Sequence, residues 1–200
     1  FFSFGIMAGL LAFGGYHRYR KEPIKHPKLE SHGNAIQKIG YNDVHKLVAK
    51  VAPAIKEWHP DTILGIGGGG YIPARILRTF VPSTPVLAVT VNFYDDVNLE
   101  VRPEPTIIQW IDEGTANEYI KGKRVLIADD IDDTRNTLKK VYDLLIDLEP
   151  ASIGCFVLHS KEKEKMQDVP FAEWFVGAKV QDTWIEYPWD ALDIDKHSQH

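Results

Sequence analysis

The chain has 200 residues, of which 44% are hydrophobic and 26% are charged, a composition that lets one globular domain bury a core without metals or disulfides. The formal net charge of -5, without a basic stripe carrying interleaved aromatic residues, argues against nucleic acid as a partner and favours small molecules. The single cysteine, Cys155, lies in an apolar run and is expected in the core, so a disulfide framework and a thiolate zinc site are excluded.

Residues 1–21 are predicted to form a hydrophobic membrane anchor. Residues 1–16 carry no charge, and a basic cluster follows at residues 17–21. A spanning helix needs about 20 apolar residues, so the tyrosines and arginines at the end of this stretch would have to reach the membrane interface. Gly5 and Gly9 form a G-x-x-x-G pair, which lets membrane helices approach closely. Membrane lipid and neighbouring transmembrane subunits are therefore the expected partners of this segment, with a targeting segment or a buried glycine-rich helix as the alternative.

The order of apolar and basic residues also predicts a location. A signal peptide usually carries its charge first, whereas here the charge follows, and the chain begins with Phe rather than Met. We therefore expect a mature, membrane-anchored protein whose leader was removed on import, with the mitochondrial inner membrane as its place. A cytoplasmic protein is the alternative.

The rest of the chain alternates between helical and strand-like apolar spacing. Residues 22–40 are rich in Pro, His, Lys and Gly without an apolar period, and are predicted to be a linker. Helical spacing then predicts helices at residues 44–58, 73–80 and 134–148. Short apolar runs predict strands at residues 62–66, 86–91, 107–110, 125–128 and 153–158. This alternation predicts an α/β fold with a mainly parallel sheet and helices on both faces, in which ligands bind beyond the carboxyl ends of the strands.

A glycine-rich turn follows the first predicted strand, within residues 65–70. Its spacing fits G-x-G-x-x-G, and Asp95 lies further along the chain, so a dinucleotide-binding turn is one interpretation. A full helix precedes this strand, however, and the interpretation gives no role to an acidic turn that begins at Asp129. We therefore favour a ligand that uses both turns.

The acidic turn follows the fourth predicted strand and precedes a helix. It contains four carboxylates, at Asp129, Asp130, Asp132 and Asp133. Like charges this close raise each other's pKa and destabilise the turn unless a cation or ligand hydroxyls neutralise them. We expect a metal ion and sugar hydroxyls here, with a solvated acidic loop as the alternative.

The residues after the acidic turn predict a phosphate-binding site. A helix start offers backbone N–H groups, and two hydroxyls and a guanidinium lie within Thr134, Arg135, Asn136 and Thr137. The spacings of a calcium-binding loop and of a P-loop are both absent. Carboxylates beside a phosphate site therefore suit a ribose phosphate better than a nucleoside triphosphate.

The segment VLIADDIDDTRNTL resembles the donor-binding motif of type I phosphoribosyltransferases, with Arg135 in the place usually taken by glycine. Five further segments resemble fungal-type hypoxanthine-guanine or xanthine phosphoribosyltransferases in the same order: YNDVHKL, GIGGGGYIPARILRTF, QWID, FVLHSK and YPWD. The likeness covers residues 41–190, which are the expected enzyme domain, and leaves residues 191–200 as a polar tail.

The resemblance implies a purine-salvage enzyme. Such an enzyme uses Mg2+ to transfer a phosphoribosyl group from 5-phosphoribosyl 1-diphosphate (PRPP) to a 6-oxopurine base, giving a purine nucleotide and pyrophosphate. It also implies a small hood over the base and a homodimer. A phosphoribosyltransferase-like accessory subunit of a membrane complex, which binds a nucleotide with little or no turnover, is the alternative.

The resemblance also implies roles for the two turns. The PRPP- and nucleotide-binding set is Asp129, Asp130, Asp132, Thr134, Arg135, Asn136 and Thr137. Within this set Asp129 and Asp130 also hold Mg2+, while Asp133 takes or shares a proton at the purine ring. The pyrophosphate loop is formed by Gly68, Gly69 and Gly70, with Arg75 on the helix that follows.

The base-binding part is implied by the segment FVGAKVQDTWIEYPWD, residues 175–190, as the hood. Phe175 would stack on the purine, Val176 would lend backbone groups, and Lys179 would contact a purine oxygen. Asp182 would hold a second Mg2+ through water. At the usual base-contacting lysine the nearest match is His159, which leaves base preference open, and a mobile loop is expected at residues 93–105.

Overall fold

The structure, a computed structural model, describes residues 36–94 and 101–199, with the backbone alone at residues 93, 94 and 101–104. Its elements, in chain order, are β1 Gln37–Lys38, α1 Tyr41–Trp58, β2 Thr62–Gly67, α2 Tyr71–Phe80, β3 Val86–Tyr94, β4 Val101–Gln109, α3 Glu113–Tyr119, β5 Arg124–Asp132, α4 Asn136–Ile146, β6 Ser152–Lys161, β7 Glu173–Val180, β8 Ile185–Glu186 and α5 Ile194–His197.

A six-stranded sheet forms the centre of the domain, in the order β4-β3-β2-β5-β6-β7. Every neighbouring pair is parallel except β3 and β4, which are antiparallel. The predicted mainly parallel sheet with helices is therefore confirmed for the described part of the chain. Within that part, no helix is both long and apolar enough to cross a bilayer. The predicted anchor at residues 1–21 lies outside the described residues.

Two buried cores lie on the two faces of the sheet, because side chains alternate along each strand. On β5, Leu126 and Ala128 contribute to the core that α1 and α2 cover, whereas Ile127 contributes to the core that α4 covers. On β6, Phe156 and Cys155 divide between the two cores in the same way, and both are fully buried. The sulfhydryl group of Cys155 is thus a core group, as expected.

A small two-stranded parallel sheet pairs the start of the described chain with its end. Gln37 of β1 pairs with Ile185 of β8, and the Gln37 N–H donates to the Trp184 carbonyl at 2.9 Å. His197 of α5 is 4% exposed and its Nε2–H donates to the Ile39 carbonyl at 2.9 Å. Residues 37–39 and 194–197 therefore belong to the folded domain, so both the predicted linker at 22–40 and the predicted polar tail at 191–200 extend too far into it.

Three elements differ from the sequence prediction. Residues 175–180 belong to β7 of the main sheet, so of the predicted hood only residues 185–186 form part of the small sheet. The predicted mobile loop at 93–105 lies largely in strands, since β3 runs to Tyr94 and β4 starts at Val101. The short helix α3 lacks a long apolar stripe and was not predicted; it starts where Asp112 accepts a hydrogen bond from the Thr115 N–H at 3.0 Å.

Candidate functional site

The glycine turn and the acidic turn lie against each other at the carboxyl edge of the sheet. They form the carboxyl ends of β2 and β5, adjacent parallel strands with Gly65 opposite Ala128, and β5 continues through Asp132 beyond the strand end predicted at residue 128. A Cβ built on Gly70 would come within 2.3 Å of the Ala128 carbonyl oxygen, and one built on Gly69 within 1.8 Å of an Asp130 carboxylate oxygen. Glycine at these two positions therefore lets the turns touch. A Cβ at Gly68 would meet nothing within 4 Å, so this residue borders open space.

Asp129 and Asp130 are the acidic pair of this edge. Asp129 is 8% exposed, and one of its carboxylate oxygens accepts a hydrogen bond from the Asp130 N–H at 3.0 Å. Burial, and then the charge of Asp130, raise the pKa of Asp129 well above its ordinary value. Burial, and then the charge of Asp190, raise the pKa of Asp130 to about 6. Both carboxylates would thus be stabilised as anions by a bound cation.

The acidic pair fits a Mg2+ ion that is bound partly by substrate and water better than a metal ion that is bound by protein side chains alone. Among the residues that the structure describes, no group of three or more His, Cys, Asp or Glu side chains is arranged to hold a metal ion. Mg2+ is commonly held by one or two carboxylates together with substrate phosphate oxygens and water. Asp129 and Asp130 supply the first part of that donor set, and the neighbouring glycine turn leaves room for the second.

Asp133 has surroundings opposite to those of the acidic pair. One of its oxygens lies 2.9 Å from Lys161 Nζ and the other 2.6 Å from Lys163 Nζ. Burial raises the pKa of Asp133, but the hydrogen bonds and charges of Lys163 and Lys161 outweigh burial and lower it below its ordinary value. Asp133 is therefore an ionised carboxylate at neutral pH, held between two lysine ammonium groups.

Asp132 is turned into protein contacts and does not join the predicted donor-binding set. It is 1% exposed, and its carboxylate accepts hydrogen bonds from Ser160 Oγ at 2.7 Å and from Arg135 Nε at 3.2 Å. Lys165 Nζ lies 3.1 Å from the same group. A buried carboxylate requires such partners, and three donors leave it little capacity for a sugar hydroxyl.

Arg135 likewise points away from the predicted phosphate site. Its guanidinium pairs with Asp132 and its Cζ atom lies 4.6 Å from the centre of a Trp174 ring. The other predicted phosphate-binding residues lie at the start of α4, which begins at Asn136, and the Asn136 N–H lies 3.5 Å from Thr134 Oγ1. Thr137, in the first turn of α4, is half-buried beside it.

A cavity of about 300 Å³ lies beside the acidic turn, lined by Asp132, Arg135, Ser160, Lys161, Glu162, Trp174, Val176 and Lys179. Two of the predicted base-binding residues, Val176 and Lys179, are therefore in its wall. Phe175 is not: it is 8% exposed, lies in the core under α1, and its ring centre is 6.0 Å from that of Trp58. Strand alternation in β7 turns Phe175 to the opposite face from Trp174 and Val176, into the core and away from this cavity.

His159 is a support of the acidic turn. It is 2% exposed, and burial lowers its pKa to about 4, so the ring is neutral. The Tyr187 hydroxyl donates to the Asp130 carbonyl at 3.0 Å, so Nδ1–H of His159 donates to the Tyr187 oxygen at 2.9 Å. This chain of hydrogen bonds holds the backbone of Asp130 in place.

Lys161 lies at the carboxyl end of β6, and the sequence prediction did not include it in the site. Lys161 is 8% exposed and lies 2.9 Å from Asp133 and 3.3 Å from Asp182. The motif FVLHSK contains this lysine, and counting to the end of the strand would have found it. Asp182 also lies 3.3 Å from Lys163, so it takes part in an ion-pair cluster, which disfavours its predicted role as a second Mg2+ site.

Two remaining side chains lie at the surface. Arg75 is exposed on α2, and its guanidinium lies 3.5 Å from Thr79 Oγ1 in the next turn. Trp184 is 48% exposed, two residues beyond Asp182. The Trp184 carbonyl accepts the hydrogen bond from Gln37 of β1. The backbone that carries this exposed ring is therefore fixed, two residues from the ion pairs of Asp182.

An acidic pair at a parallel sheet edge, between a glycine turn and a helix start, defines a class of phosphosugar-binding enzyme. Residues 32–193 match the family model described as "Phosphoribosyl transferase domain", and the chain belongs to that family. It is 38% identical to the hypoxanthine-guanine phosphoribosyltransferase of Saccharomyces cerevisiae, with 83% of this chain and 90% of that protein covered. It is 36% identical to xanthine phosphoribosyltransferase 1 of the same yeast, with 80% and 92% covered.

A solved structure gives the same result for the fold. A hypothetical protein from Neisseria gonorrhoeae with bound ppGpp superposes with a TM-score of 0.72 at 36% identity, covering 83% of this chain and 95% of that chain. The resemblance to fungal-type phosphoribosyltransferases that the sequence motifs indicated is thus confirmed.

The contact between the two turns predicts unequal effects of alanine at neighbouring glycines. Gly70→Ala should lower the free energy of unfolding by about 1–3 kcal/mol, because its methyl group would overlap the backbone carbonyl oxygens of Ala128 and Ile66. Gly68→Ala should change it by only about 0.5 kcal/mol, because its methyl group enters open space. Denaturant unfolding of both variants checks this, and equal losses would contradict the described contact.

Proposed function

We propose that this chain is a purine phosphoribosyltransferase of the salvage type, which transfers the phosphoribosyl group of PRPP to a 6-oxopurine base and releases pyrophosphate. The observation that carries the proposal is the acidic pair: Asp129 is 8% exposed, and the Asp130 carboxylate lies against the glycine turn. The two yeast relatives support a 6-oxopurine as acceptor. The ppGpp bound to the Neisseria protein supports a guanine nucleotide as a ligand.

Donor binding uses both turns. The ribose hydroxyls donate to Asp129 and Asp130, and the 5-phosphate accepts from the first-turn N–H groups of α4 and from Thr134, Asn136 and Thr137. The pyrophosphate lies against residues 68–70, where open space at Gly68 admits it and backbone N–H groups can approach it. Arg75 stays a candidate for balancing pyrophosphate charge.

The acidic pair also acts in the reaction itself. As the bond between the ribose C1 and pyrophosphate lengthens, positive charge develops on the ribose ring. Fixed, buried carboxylates stabilise that charge more strongly in the transition state than in the ground state. Asp129 and Asp130 would hold Mg2+, which would supply positive charge for the departing pyrophosphate.

Asp133 accepts or shares the proton of the purine nitrogen that attacks. Lys161 and Lys163 keep its carboxylate ionised, as the lowered pKa of Asp133 indicates. A positioned, ionised carboxylate next to the donor site is the group needed when a neutral base loses a proton on bond formation.

The base is covered by an exposed aromatic side chain near Asp133. Phe175 is buried in the core, whereas Trp184 is 48% exposed on the segment that Asp182 ties to Lys161 and Lys163. We therefore assign the stacking role to Trp184 and polar contacts to Lys161, with Val176 and Lys179 in the adjoining wall.

Asp133→Asn tests the proton-accepting role. We expect kcat to fall by about 100-fold or more, because general base catalysis contributes about that factor, while the KM for PRPP changes little. Pyrophosphate release is measured with hypoxanthine, guanine and xanthine in parallel.

Asp112→Asn serves as the matched control for Asp133→Asn, because Asp112 caps α3 outside the site and asparagine caps equally well. Equal losses of kcat and PRPP binding in Asp133→Asn would argue against the role. If the unaltered chain releases pyrophosphate with none of the three bases, the result would instead favour the accessory subunit.

Trp184→Leu tests the stacking role against the earlier assignment to Phe175. We expect the KM for the base to rise by about ten-fold, since stacking contributes about 1–3 kcal/mol per base, with the KM for PRPP unchanged. Phe175→Leu should instead lower stability by about 1 kcal/mol or more and leave the KM for the base unchanged. The opposite pattern in steady-state kinetics and thermal unfolding would restore Phe175 as the stacking residue.

We also propose that residues 1–21 anchor the enzyme in a membrane, as their composition indicates. The full chain should then stay in the membrane fraction after a high-salt and carbonate wash. Replacing Leu10 and Leu11 together by Arg should release it, because each arginine in a membrane core costs about 2.5–3.5 kcal/mol. Leu10→Ile with Leu11→Ile is the matched control, and release of the unaltered chain by the wash would refute the anchor.

A further inference from the structure

We propose that Arg135 is a positioning residue, which acts through Asp132 and Trp174 to hold the phosphate-binding turn, residues 133–137, in the shape that the donor's 5-phosphate requires. This inference rests on the proposed function and adds a role for contacts outside the donor site. We call the cluster that these contacts form the turn clamp; it consists of Asp132, Arg135, Ser160, Lys165 and Trp174.

The backbone of Arg135 needs support from its side chain. Its φ angle is 70°, in the left-handed region that disfavours every residue with a Cβ atom. It is also the residue immediately before α4, and its carbonyl accepts a hydrogen bond from the Lys139 N–H at 2.8 Å. The direction in which the N–H groups at the start of α4 point therefore depends on this one conformation.

The Arg135 guanidinium is fixed on two sides. Its Nε and Nη2 groups donate to the two oxygens of Asp132 at 3.2 and 3.4 Å, which is the fork arrangement that arginine alone provides. Its Cζ atom lies 4.6 Å from the centre of a Trp174 ring, an attractive cation–π distance. The side chain is 23% exposed, so these contacts are only partly screened by water.

Asp132 is in turn held by β6 and by the segment after it. Ser160 Oγ donates to it at 2.7 Å. Lys165 Nζ donates to the backbone carbonyls of Asp132 at 2.7 Å and Asp133 at 3.1 Å. Lys165 therefore contacts both the Asp132 carboxylate, which binds Arg135, and two backbone carbonyl groups of the turn.

Trp174 connects the turn clamp back to α4. The Trp174 ring lies edge-on to Phe171, with ring centres 4.8 Å apart, and Phe171 lies edge-on to Tyr142 of α4 at 5.3 Å. The start of α4 is therefore anchored through Arg135 and its middle through Tyr142, both on the same aromatic row. Such a double attachment fixes where the first turn of the helix lies relative to β5.

The clamp separates two possible roles of the arginine. A guanidinium that touches the phosphate would be replaceable in part by lysine and independent of Trp174. A guanidinium that positions the turn from behind needs the fork and the ring, and lysine supplies neither in full. The contacts of Arg135 described above favour the second role.

The experiment compares Arg135→Gly, Arg135→Lys and Trp174→Leu in the full chain, with the double variant of Arg135→Gly and Trp174→Leu. Glycine accepts the left-handed conformation, so Arg135→Gly removes the side chain without forcing the backbone out of shape. Lys139→Ala is the control, because it removes a cation that pairs with Asp143 at 2.6 Å on the exposed face of α4.

We expect the KM for PRPP to rise by about ten-fold, the equivalent of about 1.4 kcal/mol, in each of the three single variants of the clamp. The kcat at saturating PRPP should stay within about two-fold. The KM for PRPP of the double variant should be no higher than that of Arg135→Gly alone, because both changes remove the same contact between Arg135 and Trp174. Lys139→Ala should match the unaltered chain.

Three outcomes would overturn the clamp: an unchanged KM for PRPP in Arg135→Gly, full rescue by Arg135→Lys with no effect of Trp174→Leu, or additive losses in the double variant. Should Trp174→Leu fail to fold by circular dichroism, Trp174→Phe takes its place, with a smaller rise expected and no rise counting against the clamp. If the unaltered chain releases no pyrophosphate, the proposed function fails by itself. Calorimetric titration of PRPP with Mg2+ then decides the clamp, since equal affinity of Arg135→Gly and the unaltered chain refutes it.

Discussion

Negative charge buried at the end of β5 is the constraint around which this site is organised. Asp129, Asp130, Asp132 and Asp133 follow one another at the edge of a parallel sheet, where burial makes an uncompensated carboxylate costly. The protein treats them in two ways. Asp132 and Asp133 receive cationic partners from the protein, whereas the acidic pair is left to partners that arrive with a ligand.

This division explains why a row of like charges can serve several purposes. The partners of Asp132 keep the turn rigid and those of Asp133 keep that carboxylate ionised, whereas burial and neighbouring carboxylates raise the pKa values of Asp129 and Asp130. Rigid placement of such groups before the ligand binds is what electrostatic catalysis requires, because no energy is then spent on reorganising them.

The sequence predicted those parts of the molecule that depend on neighbouring residues. The helix at 134–148 and the strand before it follow from local apolar spacing, and the acidic turn between them is recognisable as a segment. The core position of Phe175 could not be predicted because it depends on β7 pairing with β6, and one step along a strand reverses the face on which a side chain lies. Asp132 and Arg135 look like ligand groups in the sequence, and only the approach of Ser160 and Trp174 shows that they serve each other. The antiparallel pairing of β4 with β3 is likewise a tertiary choice that apolar runs do not encode.

The small sheet has a consequence for how the polypeptide matures. β1 pairs with β8, which comes much later in the sequence, and His197 of α5 donates a hydrogen bond to the Ile39 carbonyl. During synthesis, residues 37–39 leave the ribosome well before residues 185–197, so they stay unpaired until those later residues follow. Because Trp184 is tethered through Gln37, the exposed ring reaches its final seat only in that closing event, after the central sheet and its acidic edge can already have assembled. Nascent protein would thus complete the acidic edge of the sheet before Trp184 reaches its folded position.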